Sequence, residues 1–260
     1  HSVENNFGCT QVATAPFYVN PLPVIDFSFN NACLGSATQF NDLSSSPVGI
    51  ASWSWDFGDG EFSNAANPAH TYATAGDFVV RLTLVDNLGC TDFLEKTITI
   101  NPGPTVAFEA PATCHGDSTY FTNTTSADAT SYMWYFGDGN SSTEINPVHL
   151  YENYGTYTVL LEASDELGCQ NSMEQEVVVY PLPIVNYTWN FGSCAGDTTF
   201  FQDLSQAISG DIASWNWNFG DGNFSTEQHP YHIYAETGDI TYEVTLIITT
   251  TDGCSDSLVE

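Results

Sequence analysis

The chain has 260 residues, of which 32 are Asp or Glu and 2 are Lys or Arg, for a formal charge of −30. So acidic a polymer excludes nucleic acid as a partner, because binding it requires cations that displace condensed counterions, and it disfavours an anionic membrane surface. The sequence is nonetheless 42% hydrophobic and 14% aromatic, enough apolar surface to build cores, and its length predicts two or three domains. It contains no run of 18 apolar residues, so membrane insertion as a helix is not expected.

From the N-terminus, Phe7-Gly8-Cys9 is followed by a proline joint, Pro21-Leu22-Pro23. Val24 to Phe29 and Thr38 to Leu43 read as strands on either side of Cys33. Next come Trp53-Ser54-Trp55-Asp56-Phe57-Gly58-Asp59-Gly60 and His70-Thr71-Tyr72. Phe78, Val80, Leu82 and Leu84 then alternate with Val79, Arg81 and Thr83, a period of two that marks a half-buried strand. Gly89-Cys90 turns the chain into a further strand, Phe93 to Ile100, and Pro102-Gly103-Pro104 forms a second joint.

The same series then recurs twice. Tyr132-Met133-Trp134-Tyr135-Phe136-Gly137-Asp138-Gly139 and Trp215-Asn216-Trp217-Asn218-Phe219-Gly220-Asp221-Gly222 repeat the turn. His149/Tyr151 and His232/Tyr234 repeat the corner, and Cys114, Cys194, Cys169 and Cys254 repeat the two cysteines. Tyr157, Val159 and Leu161, and later Tyr242, Val244 and Leu246, repeat the alternation. The proline joints, the third being Pro181-Leu182-Pro183, set domains at residues 21–101, 102–180 and 181–260. Residues 1–20 align with the C-terminal strands of a preceding repeat, and the third domain lacks its last strand end. The expectation is a window from a longer array, with strand donation between chains as the alternative. No segment holds a 3.6 period; about seven short strands per 80 residues argue a β-sandwich.

Trp-x-Phe-Gly-Asp-Gly, Asn-Pro-x-His-x-Tyr (residues 67–72 and 146–151) and Gly-x-Tyr-x-Val together resemble the polycystic-kidney-disease (PKD) repeat. The resemblance implies an all-β fold of tandem immunoglobulin-like sandwiches arranged as an extended rod. The two-cysteine variant is similar to arrays in giant secreted surface proteins of Bacteroidota, which implies an extracellular, cell-surface location. The third copy departs, reading Gln228-His229-Pro230-Tyr231-His232, with two extra residues before its Gly-Cys.

Within this resemblance Trp55, Trp134 and Trp217 are core tryptophans rather than a sugar platform, and Tyr72, Tyr151 and Tyr234 are corner tyrosines of the core. Asp59, Asp138 and Asp221 cap a tight glycine turn, with Ca²⁺ binding as the alternative and no other cofactor expected. His70, His149 and His232 stand one per repeat, too far apart in sequence for a convergent zinc site. In a sandwich of this type Cys33, Cys114 and Cys194 sit at the bottom, while Cys9, Cys90, Cys169 and Cys254 sit at the top. Stacked domains would then join Cys33–Cys169 and Cys114–Cys254, leaving Cys9, Cys90 and Cys194 for repeats outside the chain. If the turns fold differently, the pairs are Cys33–Cys90, Cys114–Cys169 and Cys194–Cys254.

Asn123, Asn140, Asn186 and Asn223 begin N-x-S/T sequons, and Ser118, Thr198 and Ser257 fit the O-glycan motif that the Bacteroidota resemblance brings. No nucleophile–base or metal-ligand motif occurs, and with Arg81 and Lys96 as its only basic residues the chain has little with which to build an oxyanion or phosphate clamp. The expected function is non-enzymatic: a stiff structural or adhesive spacer in adhesion or gliding. Its partners would be neighbouring repeats, further copies in a filament, and a surface or polysaccharide ligand of unknown identity. The alternative is an accessory binding-module array of a secreted hydrolase.

Overall fold

The computed structural model describes residues 2–4, 6–8, 10–12, 14, 19–30, 32–190, 196–235 and 240–260. The described residues contain strands and turns and no helix. They form two compact units: His1–Gly103 with Leu167–Cys169, and Pro104–Glu166 with Gln170–Glu260.

The first unit begins with an antiparallel hairpin of β1 (Ser2–Glu4) and β2 (Thr10–Val12), Ser2 facing Val12. A sandwich follows, built from β3 (Phe27–Phe29), β4 (Ala37–Asp42), β5 (Ile50–Asp56), β6 (Phe62–Ser63), β7 (Ala69–Thr71), β8 (Gly76–Asp86) and β9 (Thr91–Ile100). One sheet has the order β3-β4-β7 and the other β6-β5-β8-β9. Alternation along β8 buries Val80, Leu82 and Leu84, while Val79 and Arg81 point to solvent. Phe27 and Phe40 of the first sheet meet Trp55 of the second, with ring centroids 5.1 and 5.5 Å apart. These contacts, with Phe57, Ile98 and Ile100, make the core. The first strand is shorter than the Val24 to Phe29 expected, because Val24 makes only an isolated bridge to Ser45 before pairing resumes at Phe27.

The second unit holds two more sandwiches. The first comprises β10 (Phe108–Glu109), β11 (Thr113–Cys114), β12 (Thr119–Tyr120), β13 (Thr122–Asn123), β14 (Ala129–Tyr135), β15 (Ser141–Ser142), β16 (Val148–His149), β17 (Gly155–Asp165) and β18 (Gln170–Tyr180). The next comprises β19 (Tyr187–Asn190), β20 (Thr198–Asp203), β21 (Ile212–Asn218), β22 (Phe224–Ser225), β23 (Tyr231–Ile233), β24 (Thr245–Thr250) and β25 (Ser255–Val259). Register is the same in all three repeats: Trp55 faces Leu82, Trp134 faces Leu161, and Trp217 faces Leu246.

The third repeat departs where its sequence does. The strand expected across Tyr242, Val244 and Leu246 begins at Thr245, and Val244 just before it exchanges two hydrogen bonds with Glu260. Its hairpin turn is not lengthened: Thr250 N donates to Cys254 O as Asp86 N donates to Cys90 O. The two extra residues therefore fall between Tyr234 and Val244, a stretch that includes 236–239 outside the described residues.

Candidate functional site

Each repeat carries one recurring polar corner, and in the first two repeats a pair of cysteines lies at opposite ends of the long hairpin. The corner starts at the Gly58 turn, where Gly58 holds φ +82° and its Cα faces the β8 backbone. A Cβ there would lie 2.6 Å from Val79 O, so only glycine fits. The turn is pinned by Gly58 N donating to Asp56 Oδ1 and Glu61 N donating to Asp59 Oδ1. The second Asp59 oxygen accepts from His70 Nε2 at 2.7 Å. The imidazole stacks on Phe57, centroids 4.1 Å apart and planes 2° apart, and meets Tyr72 edge-on. Tyr72 Oη closes the loop by donating to Phe57 O at 3.1 Å.

The same geometry recurs at Asp138–His149 and Asp221–His232, each pair 2.7 Å apart and separated by eleven residues. Burial works to raise the Asp59 carboxyl, but hydrogen bonds from His70 and the Glu61 amide outweigh it and hold the group below its ordinary 3.8. Asp138 is lowered against the same burial by Asn140 and His149, and Asp221 by His232 and Asn223. The carboxylates are therefore charged acceptors, and Nε2 carries the proton. Burial, with Asp221 nearby, pushes the Tyr234 hydroxyl up to about 12, and Tyr72 and Tyr151 rise for the same reason.

At Asp59, Asp138 and Asp221 the geometry is that of the capped turn, the first of the two readings. Both oxygens of each carboxylate already accept hydrogen bonds. Among the described residues no three His, Cys, Asp or Glu side chains converge as metal ligands, whereas Ca²⁺ takes six to eight oxygens. Trp55, Trp134 and Trp217 are wholly buried, and each of these indole N–H groups donates to a backbone carbonyl ten residues on: Ala65, Glu144 and Glu227. Such burial leaves no face for a sugar.

The cysteines follow from strand direction. Cys33 makes a parallel bridge with Asn101, beside the end of β9, and Leu34 N donates to Asn101 O. Cys90 precedes the first residue of β9. Ten strand residues, about 30 Å, separate the two ends, whereas a disulfide needs Cα atoms within about 7 Å. The second repeat has the same layout, with Cys114 opposite Tyr180 and Cys169 just before Gln170. Bonds inside a repeat therefore have no route. The structure instead joins Cys33 to Cys169, Cα atoms 5.4 Å apart, and Cys114 to Cys254, 5.5 Å apart. The tip Leu167–Cys169 belongs to the first unit accordingly. Cys90 is free and half-buried, and Cys9 and Cys194 lie outside the described residues.

Of the candidate glycan sites, Thr198, Ser257, Asn140, Asn186 and Asn223 are exposed and Ser118 is half-buried. Asn123 is half-buried, and its side-chain nitrogen is buried. Sequence reasoning treated Asp59 and His70 separately and missed their pairing. The signal was the constant eleven-residue spacing, kept even in the third copy, where the surrounding motif changes.

Three glycine-hinged sandwiches with one aspartate–histidine corner each and cystines linking successive copies define a tandem immunoglobulin-like array. The chain belongs to the PKD domain family, whose profile matches residues 20–102, 100–180 and 183–260. Collagenase ColQ1 of Bacillus cereus (strain Q1) is 51% identical over 49 residues, 19% of this chain and 5% of the collagenase. Pre-pro-metalloprotease PrtV of Vibrio cholerae serotype O1 is 28% identical over 181 residues, 68% of this chain and 19% of PrtV. The crystal structure of the PKD1 domain of the Vibrio cholerae metalloprotease PrtV is 34% identical, covering 31% of this chain and 99% of that domain with a TM-score of 0.30. The chain thus spans 5% to 19% of the length of these two curated relatives.

Proposed function

We propose that this chain is a non-catalytic, covalently stapled spacer of an extracellular protein, made to hold its neighbours at a set distance in adhesion or gliding. The observation that carries the reading is the pair of cystines linking successive repeats. Such bonds persist in oxidising surroundings. Each closes a loop of more than a hundred residues, worth about 5 kcal/mol against unfolding in the chain-entropy account. The proline joints add stiffness by fixing φ. Exposed Thr198 and Ser257 are available for O-glycans, which would enlarge the spacer.

A second reading, an accessory binding array like the partners of the collagenase and metalloprotease relatives, has its own support. Tyr120 on β12 of the second repeat is 63% exposed, and Tyr231 on β23 of the third, the counterpart of the strand paired with β12, is 68% exposed. Retention on insoluble cellulose, chitin and collagen, together with small-angle scattering before and after dithiothreitol, separates the two. The spacer reading expects no retention and a scattering profile that broadens on reduction. Retention abolished by Tyr231→Ala would replace it with the binding reading, and a profile indifferent to reduction would remove the stapling role.

A further inference from the structure

In each repeat the loop leading into β7, β16 or β23 is tied to a neighbouring strand by the residue just before a proline. In the first repeat Asp42 N donates to Asn67 Oδ1, and in the second Asn123 N donates to Asn146 Oδ1, both at 2.8 Å. The prolines that follow behave alike in all three: Phe40 N donates to Pro68 O at 2.9 Å, Phe121 N to Pro147 O at 3.0 Å and Phe201 N to Pro230 O at 2.9 Å. The third repeat has His229 where the others have asparagine, and Asp203 N donates to its Nδ1 at 3.1 Å. A backbone N–H can only donate, so Nδ1 is the acceptor and the ring is neutral with its proton on Nε2. Imidazole ordinarily takes up a second proton between about pH 5 and 8. A carboxamide oxygen accepts throughout that range, whereas an imidazole nitrogen accepts only while unprotonated.

We propose that His229 is a pH-sensitive latch, confined to the third repeat, which holds the loop from β22 to β23 against β20 at neutral pH and releases it on acidification. The residue is exposed, so a proton reaches the ring from solvent. Its surroundings offer the imidazolium no equivalent contact. The charged group facing it from β20 is Asp203, 6% exposed, whose Oδ1 already accepts from Ser205 N and whose Oδ2 accepts from Trp215 Nε1 and Gln228 Nε2. Phe200 on the same strand is neutral, its ring centroid 6.4 Å from the imidazole, and β21 contributes the neutral Trp215. On the loop itself the charged neighbour is Glu227. An imidazolium drawn to either carboxylate brings a second donor and no acceptor, so the Asp203 N–H loses its bond. The loop leads directly into Tyr231, 68% exposed. Acidification therefore changes how this aromatic side chain is presented, while the asparagine ties of the first two repeats hold. The inference stands whether the array serves as a spacer or as a binding module.

The test is amide hydrogen exchange of the full, nitrogen-15-labelled chain at about pH 7.5 and about pH 5.5. Protection is expressed against the unstructured-peptide rate at each pH, so that the pH dependence of exchange itself cancels. Protection of the Asp203 amide should fall about five-fold on acidification, as loss of one hydrogen bond implies. The Asp42 and Asn123 amides report in the same sample, and their protection should change by less than about two-fold. His229→Asn, which installs the residue of the other two repeats, should keep the neutral-pH protection of Asp203 and abolish its fall. Long-range nitrogen–proton correlation of the parent chain at neutral pH should show the His229 proton on Nε2. A proton on Nδ1, an Asp203 amide indifferent to pH, equal falls at all three amides, or a fall that persists in His229→Asn would each overturn the latch. None of these results bears on the Cys33–Cys169 and Cys114–Cys254 bonds, so failure here is distinct from failure of the spacer reading.

Discussion

Pulling the chain by its two ends tests the cystine connectivity through contour length. The bonds cross in sequence, with Cys33 and Cys114 preceding Cys169 and Cys254. A taut oxidised chain therefore runs from residue 1 to 33, jumps to 169, doubles back to 114, jumps to 254 and ends at 260. That path is about 93 residues, or about 330 Å at ~3.5 Å per residue, against about 910 Å once both bonds are reduced. Residues 34–113 and 170–253 carry no load while both bonds hold. Breaking one bond alone opens a shorter increment. Cys33→Ser should lengthen the fully unfolded chain by about 90 Å and Cys114→Ser by about 100 Å, because the remaining bond still shortcuts most of the array. Single-molecule force spectroscopy with handles on both termini measures these lengths to within a few nanometres. Bonds closed inside repeats would give about 200 Å for either substitution. That result, or an oxidised chain that extends fully, would refute the load path.

The aspartate–histidine corner should be worth a measurable share of each repeat. His149→Ala removes a hydrogen bond to a charged group and a ring stack on Phe136, an expected cost of about 2–4 kcal/mol in urea unfolding. Gly137→Ala should cost more than ordinary surface changes, about 3 kcal/mol or above, since its Cβ would meet Thr158 O at 2.6 Å at φ +84°. The corner carboxylates are held below 3.8, so their contribution is present at neutral pH and is lost as pH falls through and below that value. The stability gap between the parent chain and Asp138→Asn, measured by thermal melting, should therefore close between neutral pH and about pH 2. Trp134→Ala should cost about 3–5 kcal/mol, since the indole is wholly buried and its N–H is paired. An effect under 1 kcal/mol would contradict its place in the core.

What the sequence determined by itself was the periodic part of the molecule. Alternation along Phe78 to Leu84 named the buried face of β8, and the recurring Trp, Phe and Tyr positions named the three cores, because strand parity and turn chemistry are local properties. Trp53 shows the limit of that parity. It shares a side with Trp55 but is only part-buried, and its N–H donates to Asp42 on the other sheet at 2.7 Å. Tyr132 and Asn123 replace that pair in the second repeat, and there the Asn123 nitrogen is left buried. Tertiary structure alone decided that His70 folds over Phe57 onto Asp59, since a corner between two sheets sets that distance. It also decided between the two cysteine connectivities. Which end of a sandwich a turn occupies depends on strand direction, and the pairing of Cys33 beside Asn101 puts the whole length of β9 between it and Cys90.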